Sequence, residues 1–461
     1  MSAGGAALWA TATAGDDRAS DILYRQVRDR FNHGLFPAWK YLDGLPSEPM
    51  GYWSLYVYTP GVLALLAAQS AAERDLVGAV RERDGDWLNR NFDNLIHSTL
   101  PNMRYIPWGD LQSGPNGSVA YEMAGIIDAS TWALDSPYGA FFSRWLKGKR
   151  GLRRFHRETA IFAMLYTDRW QARPKVPPLS YLAGNRASGH FIARSAWDDT
   201  ATVVALTCTD HLGDHHHYDQ GGLTIYRQGL LAVDPPVYHR VRGPQQKTEN
   251  HNTLILGGRP QRPVRGQWFK TVDDFKRHLG GANGLETGEI LSYEEAGEWA
   301  AVACQFAQAY PAGLVESCVR ELLFVRPNTV LVVDHLVASG GKTLPATQWL
   351  LQLPNRPTLR DNFLLASNGN SWLGCRALLP IASPTFSQTD LHTWRASFHY
   401  RADGKRLTLV HQLEVGDGVG GGREEPAAKV TIGQSLEEIE VDVGGRRFTF
   451  SGRDPVRVSA Q

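Results

Sequence analysis

The sequence predicts a multidomain α+β protein: a ring or bundle of helical hairpins over residues 1–178, then an antiparallel β-sandwich over residues 179–461. Three observations predict this. Helix-start signals and four-residue apolar spacing recur through the first part of the chain. A proline cluster, Pro174–Pro178 (PKVPP), then interrupts the helical pattern. Beyond it, short apolar runs alternate with Gly, Asn, Asp and Pro to the end, as stacked antiparallel sheets require.

In the helical part, Ser20 followed by Asp21 is a helix start, with Leu23, Val27 and Phe31 repeating on one face. Thr59-Pro60 marks a second start, a capping hydroxyl followed by proline at the first helical position. Asp86–Ile96 and Glu158–Tyr166 supply further helices. Aromatic and Gly-rich stretches, Met50–Thr59 and Tyr105–Tyr121, read as connections of the kind that carry function at one end of a helical array. In the β part, strands are expected at Gly189–Ala196, Thr202–Thr207, Leu223–Tyr226, Thr253–Leu256, Ala300–Phe306, Cys318–Val325, Thr329–Val333, Gln348–Gln352 and Leu407–Leu413, with shorter ones following.

Composition narrows the function. Lys+Arg 48 against Asp+Glu 47 leaves a net charge of +1, so no overall basic field argues for nucleic acid. No apolar run reaches transmembrane length. The four cysteines form no CxxC pair, although Cys304 and Cys318 fall where neighbouring strands can bring them together. The N-terminus, MSAGGAALWATATAGDD, lacks the basic start of an export signal and reads like the middle of a helix. The expectation is a chain that begins inside a domain.

The chemistry concentrates in HLGDHHHYDQGGLTIYRQGLLAVD, residues 211–234, with His251-Asn252-Thr253 beyond it. In an extended segment His215 and His217 face one way and His216 the other. A hairpin turning at Gln228-Gly229 returns Asp234 beside His217. Imidazoles with a carboxylate suit a zinc-like ion.

These motifs carry a resemblance. GHFIARSAWDDTATVVALTC, then HHHYDQGGLTIYRQGLLAVDPPVYH and HNTLIL, resemble the heparinase II/III-like family of polysaccharide lyases over about residues 185–260, and again at Cys318–Leu351. Trp108-Gly109-Asp110 resembles a turn of that family. The resemblance implies an α/α toroid, here incomplete at the N-terminus, followed by a β-sandwich. It implies a structural Zn2+ held by His217, Asp234 and His251, with His215 facing substrate. It implies C–O bond cleavage by β-elimination in an anionic, uronic-acid-containing polysaccharide, in the cell envelope or outside the cell.

The helical part departs from the pattern. Relatives carry Glu-Gly-x-x-Tyr, whose Tyr takes part in proton transfer; MGYWSLYVYT has no Glu-Gly, which leaves Tyr56 or Tyr58, or Tyr121 in GSVAY. Asn32-His33 and His97 stand in for the family's upstream Asn or His. Arg104, Arg240 and Arg242 are candidate contacts for a substrate carboxylate. Two other readings compete. One is a non-catalytic carbohydrate-binding or scaffold protein of the same fold. The other is a cupin-type oxygenase, which lacks support because no Glu follows the HxH.

Overall fold

The computed structural model describes residues 10–72, 75–110, 123–149, 160–185, 188–213, 215–234, 244–264, 273–274, 277, 284–418, 428–432 and 438–460. Helices come first. Asp17 caps Arg18–Arg30 by accepting from the Ser20 N–H at 2.8 Å, so Ser20 is the capped residue and not the cap. Ser136 caps Pro137–Gly148 in the same way through the Gly139 N–H at 3.0 Å. Trp87–His97 follows Asp86, close to the expected bounds. Ala124–Leu134 was not expected. Nearly every residue on it is buried, so it shows no apolar stripe from which a period can be read.

Met50–Thr59 is helical, not a connection. A turn at Met50–Tyr52 runs into a π-helical stretch, Trp53–Tyr58, and on into Thr59–Ala72 without a break. Thr59 therefore caps nothing. Its hydroxyl donates to the Ser54 carbonyl at 2.8 Å inside the widened turn. Wide turns of this kind gather at functional sites because they aim side chains that a regular helix would not.

Strands begin at Ser180. A five-stranded antiparallel sheet runs in chain order through Ser180–Asn185, Ser188–Arg194, Val203–Cys208, Gly222–Tyr226 and Leu230–Ala232. An eight-stranded sheet has Thr329–Ala338 paired with Val315–Val325 and Arg406–Asp417 near its middle. Two four-stranded sheets complete the described residues; one joins Leu254–Leu256 to Thr347–Leu353.

The five-stranded sheet is the wall between the two halves. Phe191, Val204, Leu206 and Ile225 point from it into a core shared with Leu322, Val332 and Trp349 of the later sheets. Ile192, Val203, Ala205 and Tyr226, on its other face, pack with Trp53, Phe92 and Ile127 of the helices. Burial on both faces explains the near-continuous apolar run VVALTC. Arg194, fully buried, ties the wall to the helices by donating to the carbonyls of His97 at 2.7 Å and Thr99 at 3.2 Å, just past a helix C-terminus.

All four cysteines are free, and strand register sets Cys304 opposite Arg320 and not opposite Cys318. Among the described residues no helix is long and apolar enough to cross a membrane.

Candidate active site and metal centre

The histidine-rich segment leaves the wall after Cys208 and returns to it at Gly222; it is a loop, not the extended strand that the alternation argument assumed. The hairpin that follows forms as expected. Gln228 takes a φ of +54°, and Leu230 resumes pairing opposite Tyr226.

This hairpin brings Asp234 back to His217, and the next segment adds His251. One ligand atom from each lies within 4.8 Å of the others. His251 Nδ1 is 3.3 Å from Asp234 Oδ2, and the His217 and His251 ring centres are 5.1 Å apart. Burial pulls the His251 imidazole down, but the charges of Asp234 and Asp219 and the Asp234 hydrogen bond raise it above its ordinary value. Asp219 is itself pushed up, mainly by burial. Acidic charge concentrated against buried imidazoles favours a positive charge at this spot.

The donor atoms fit a metal. Three buried atoms, His217 Nδ1, Asp234 Oδ1 and His251 Nε2, have no hydrogen-bond partner among the described residues. Single atoms of this kind occur elsewhere among the described residues, but here they belong to three residues whose ligand atoms lie within 4.8 Å of one another, so one ion would satisfy them together. Two imidazole nitrogens and a carboxylate oxygen are a donor set that zinc accepts.

The cluster stands on buried polar supports. Arg320, with no exposed side-chain area, makes a two-pronged pair with Asp334 at 2.7 and 3.0 Å. Its remaining nitrogen donates to the carbonyls of Gly221 at 2.5 Å and Asn252 at 2.9 Å, close in sequence to Asp219 and His251. Asn252 donates to the Leu223 and Val233 carbonyls and accepts from the Gln352 N–H at 2.6 Å. Gly221, at a φ of +74°, has the Phe306 ring where a Cβ would sit.

His215 faces elsewhere. Its Nδ1 lies 2.8 Å from Glu48 Oε2, and its ring stacks on Tyr52 with centres 4.1 Å apart and planes 10° from parallel. Glu48 as a carboxylate can only accept, so His215 donates through Nδ1 and keeps the lone pair on Nε2. The His215 side chain is 30% exposed. Gly213 allows the approach, since a Cβ there would come within 2.7 Å of Glu48 Oε1. His216 is buried against Trp108 and His211, and burial holds it well below its ordinary value.

The helical half reaches the His217–Asp234–His251 cluster as well. Asp110 Oδ1 is 2.9 Å from His217 Nε2, and the Asp110 N–H donates to the His215 carbonyl at 2.8 Å.

Solved structures match this arrangement of elements. One of heparinase III has a TM-score of 0.65 at 14% identity, over 97% of this chain and 66% of that one. The fold is that of heparinase III. A second heparinase III, with methylated lysines, gives 0.63 at 14% over 99% of this chain and 64% of its own length. A heparan sulfate lyase from Pedobacter heparinus gives 0.61 at 15% over 98% and 64%. The chain thus spans less than two thirds of the length of these last two. No family model matches it, and no curated protein does.

On this heparinase III fold the expected site residues separate. His217, Asp234 and His251 come together; His215 lies at the junction of the two halves. Tyr58 is corrected. It is 1% exposed in the helical core, stacked on Trp39, with its hydroxyl on Ser130 at 3.0 Å and its ionisation pushed far up by burial. Tyr56 is 65% exposed, with its ring centre 6.0 Å from that of Tyr52. His97 is buried against Tyr181. Arg104 is exposed, its N–H on Asn102. Tyr121, Arg240 and Arg242 lie outside the described residues.

Sequence reasoning did not single out Tyr52 or Glu48, and it named Asp110 only within the Trp108-Gly109-Asp110 turn, without a role. A signal for the first two was present. Glu48-Pro49-Met50-Gly51-Tyr52 keeps the four-residue Glu-to-Tyr interval of Glu-Gly-x-x-Tyr, with proline where the pattern has glycine.

Proposed function

We propose that the protein is a polysaccharide lyase that cleaves an anionic, uronic-acid-containing polysaccharide by β-elimination. One observation carries the reading: His215, held by Glu48 and stacked on Tyr52, is a partly exposed imidazole where the helical and β halves meet. In this reading residues 1–178 are part of an α/α toroid and residues 179–461 a β-sandwich. The substrate lies between them, in the cell envelope or outside the cell.

The reaction removes the C5 proton beside the uronate carboxylate and breaks the C4–O bond, leaving an unsaturated sugar and a protonated leaving oxygen. His215 Nε2, with its lone pair directed away from Glu48, is suited to take the proton or to stabilise the charged carboxylate as it leaves. Tyr52, in contact with the same ring, is suited to protonate the leaving oxygen. Arg104 is a candidate partner for the substrate carboxylate, as are Arg240 and Arg242. His217, Asp234 and His251 would hold Zn2+, which cross-links the loop to the hairpin and to the segment beyond it.

The test is incubation with heparan sulfate, hyaluronan, alginate and related polymers, followed by ultraviolet absorbance of unsaturated ends. Product from at least one uronate polymer, and none from neutral polymers, is expected. Saturable binding across the panel without product would instead make this a carbohydrate-binding protein.

A further inference from the structure

The Trp108–Asp110 turn touches both clusters. Asp110 is 7% exposed and lies beside His217, whose side chain has no exposed area. A carboxylate only accepts, so a neutral His217 donates through Nε2 and keeps its lone pair on Nδ1, the buried atom with no partner among the described residues. The same residue's N–H fixes the His215 carbonyl at 2.8 Å. Gly109 makes the contact possible: at a φ of +59°, a Cβ there would lie 2.8 Å from the His215 carbonyl oxygen and 2.5 Å from Pro49, the neighbour of Glu48. Trp108 closes the other side, its ring centre 4.0 Å from that of His190.

We propose that Asp110 is a positioning residue that couples a divalent cation in the β half to the seat of His215 against the helical half. It does so by selecting the His217 tautomer and holding the His215 backbone through one short turn. The inference rests on the metal reading above. It adds that the helical half, which contributes none of the three donors, sets the affinity for the ion.

The experiment uses the full chain, Zn2+ alone as the probe, and Asp110→Ala beside Asp110→Asn. Zinc affinity by titration calorimetry should fall about 10–100-fold in Asp110→Ala. Asp110→Asn, whose carboxamide oxygen accepts the same hydrogen bond, should recover most of it. Nitrogen-15 shifts of the His217 ring should report an Nε2-protonated imidazole in the wild type and in Asp110→Asn only. Hydrogen exchange in residues 48–58 should slow on adding Zn2+ to the wild type and not to Asp110→Ala. Asp110→Ala with wild-type affinity and wild-type protection would overturn the coupling, as would an Asn variant as weak as Ala. A wild type that binds no Zn2+ would overturn the metal reading itself, a different failure from the others.

Discussion

The two clusters at the junction are built in opposite ways. His217, Asp234 and His251 come from one stretch of the β half and are joined by a hairpin whose turn residues are visible in the chain. His215, Glu48 and Tyr52 are drawn from both halves, with 167 residues separating Glu48 from His215. The first draws its three donors from the β half, stiffened by Arg320 and Asn252, and the helices add Asp110 beside His217; the second exists only when helices and sheet are docked. In the proposed function, structural and catalytic duties divide along this line. His217, Asp234 and His251 belong to a buried, heavily hydrogen-bonded region, and His215 with Tyr52 sits at a partly exposed seam.

The largest effect that sharpens this contrast is at Tyr52. Tyr52→Phe should lower formation of unsaturated product by about 10²–10⁴-fold while leaving zinc content unchanged. Equal loss of zinc would merge the two clusters into one. Arg320→Met tests the other side. Leaving Asp334 buried and unpaired should cost about 3–5 kcal/mol in chemical denaturation. The same change should reduce bound zinc by loosening Gly221 and Asn252; undiminished zinc would show that the support is not needed.

A smaller effect concerns pH. Burial, with the charge of Asp86 adding to it, pushes the Asp93 carboxyl up to about 7 from 3.8. The folded chain therefore keeps a proton that the unfolded chain has lost, and stability falls as pH rises from about 4 through about 7. Asp93→Asn should flatten the decline of Tm over that window. Part of the slope remains, through that window and on to about 8, because burial and Glu286 push Asp210 up to about 8. An unchanged profile would mean that Asp93 is solvated. The smallest effect is at Tyr58: Tyr58→Phe should cost about 1 kcal/mol through the lost Ser130 bond and leave turnover per folded molecule intact.

The same division explains what the sequence made legible. Helix starts at Asp86 and strands such as Thr329–Ala338 follow from local propensity and period. The ion cluster was readable because hairpin chemistry at Gln228-Gly229 fixes which residues return to His217. Ala124–Leu134 was hidden because a helix buried all round has no polar face to set its phase. Met50–Thr59 was misjudged as a loop because aromatic and glycine residues mask a helix that widens at Trp53–Tyr58. The Glu48-to-Tyr52 interval and the Trp108–Asp110 turn are both written in the chain, but no local pattern records which histidine of the β half each acid will meet.

The most direct test of this account is His215→Ala, with zinc content and product formation measured on the same preparation. Wild-type zinc and Tm with turnover reduced by about 10²–10⁴-fold are expected. Unchanged turnover, or loss of zinc together with turnover, would contradict a histidine that does chemistry at the seam while its neighbour but one, His217, holds the fold.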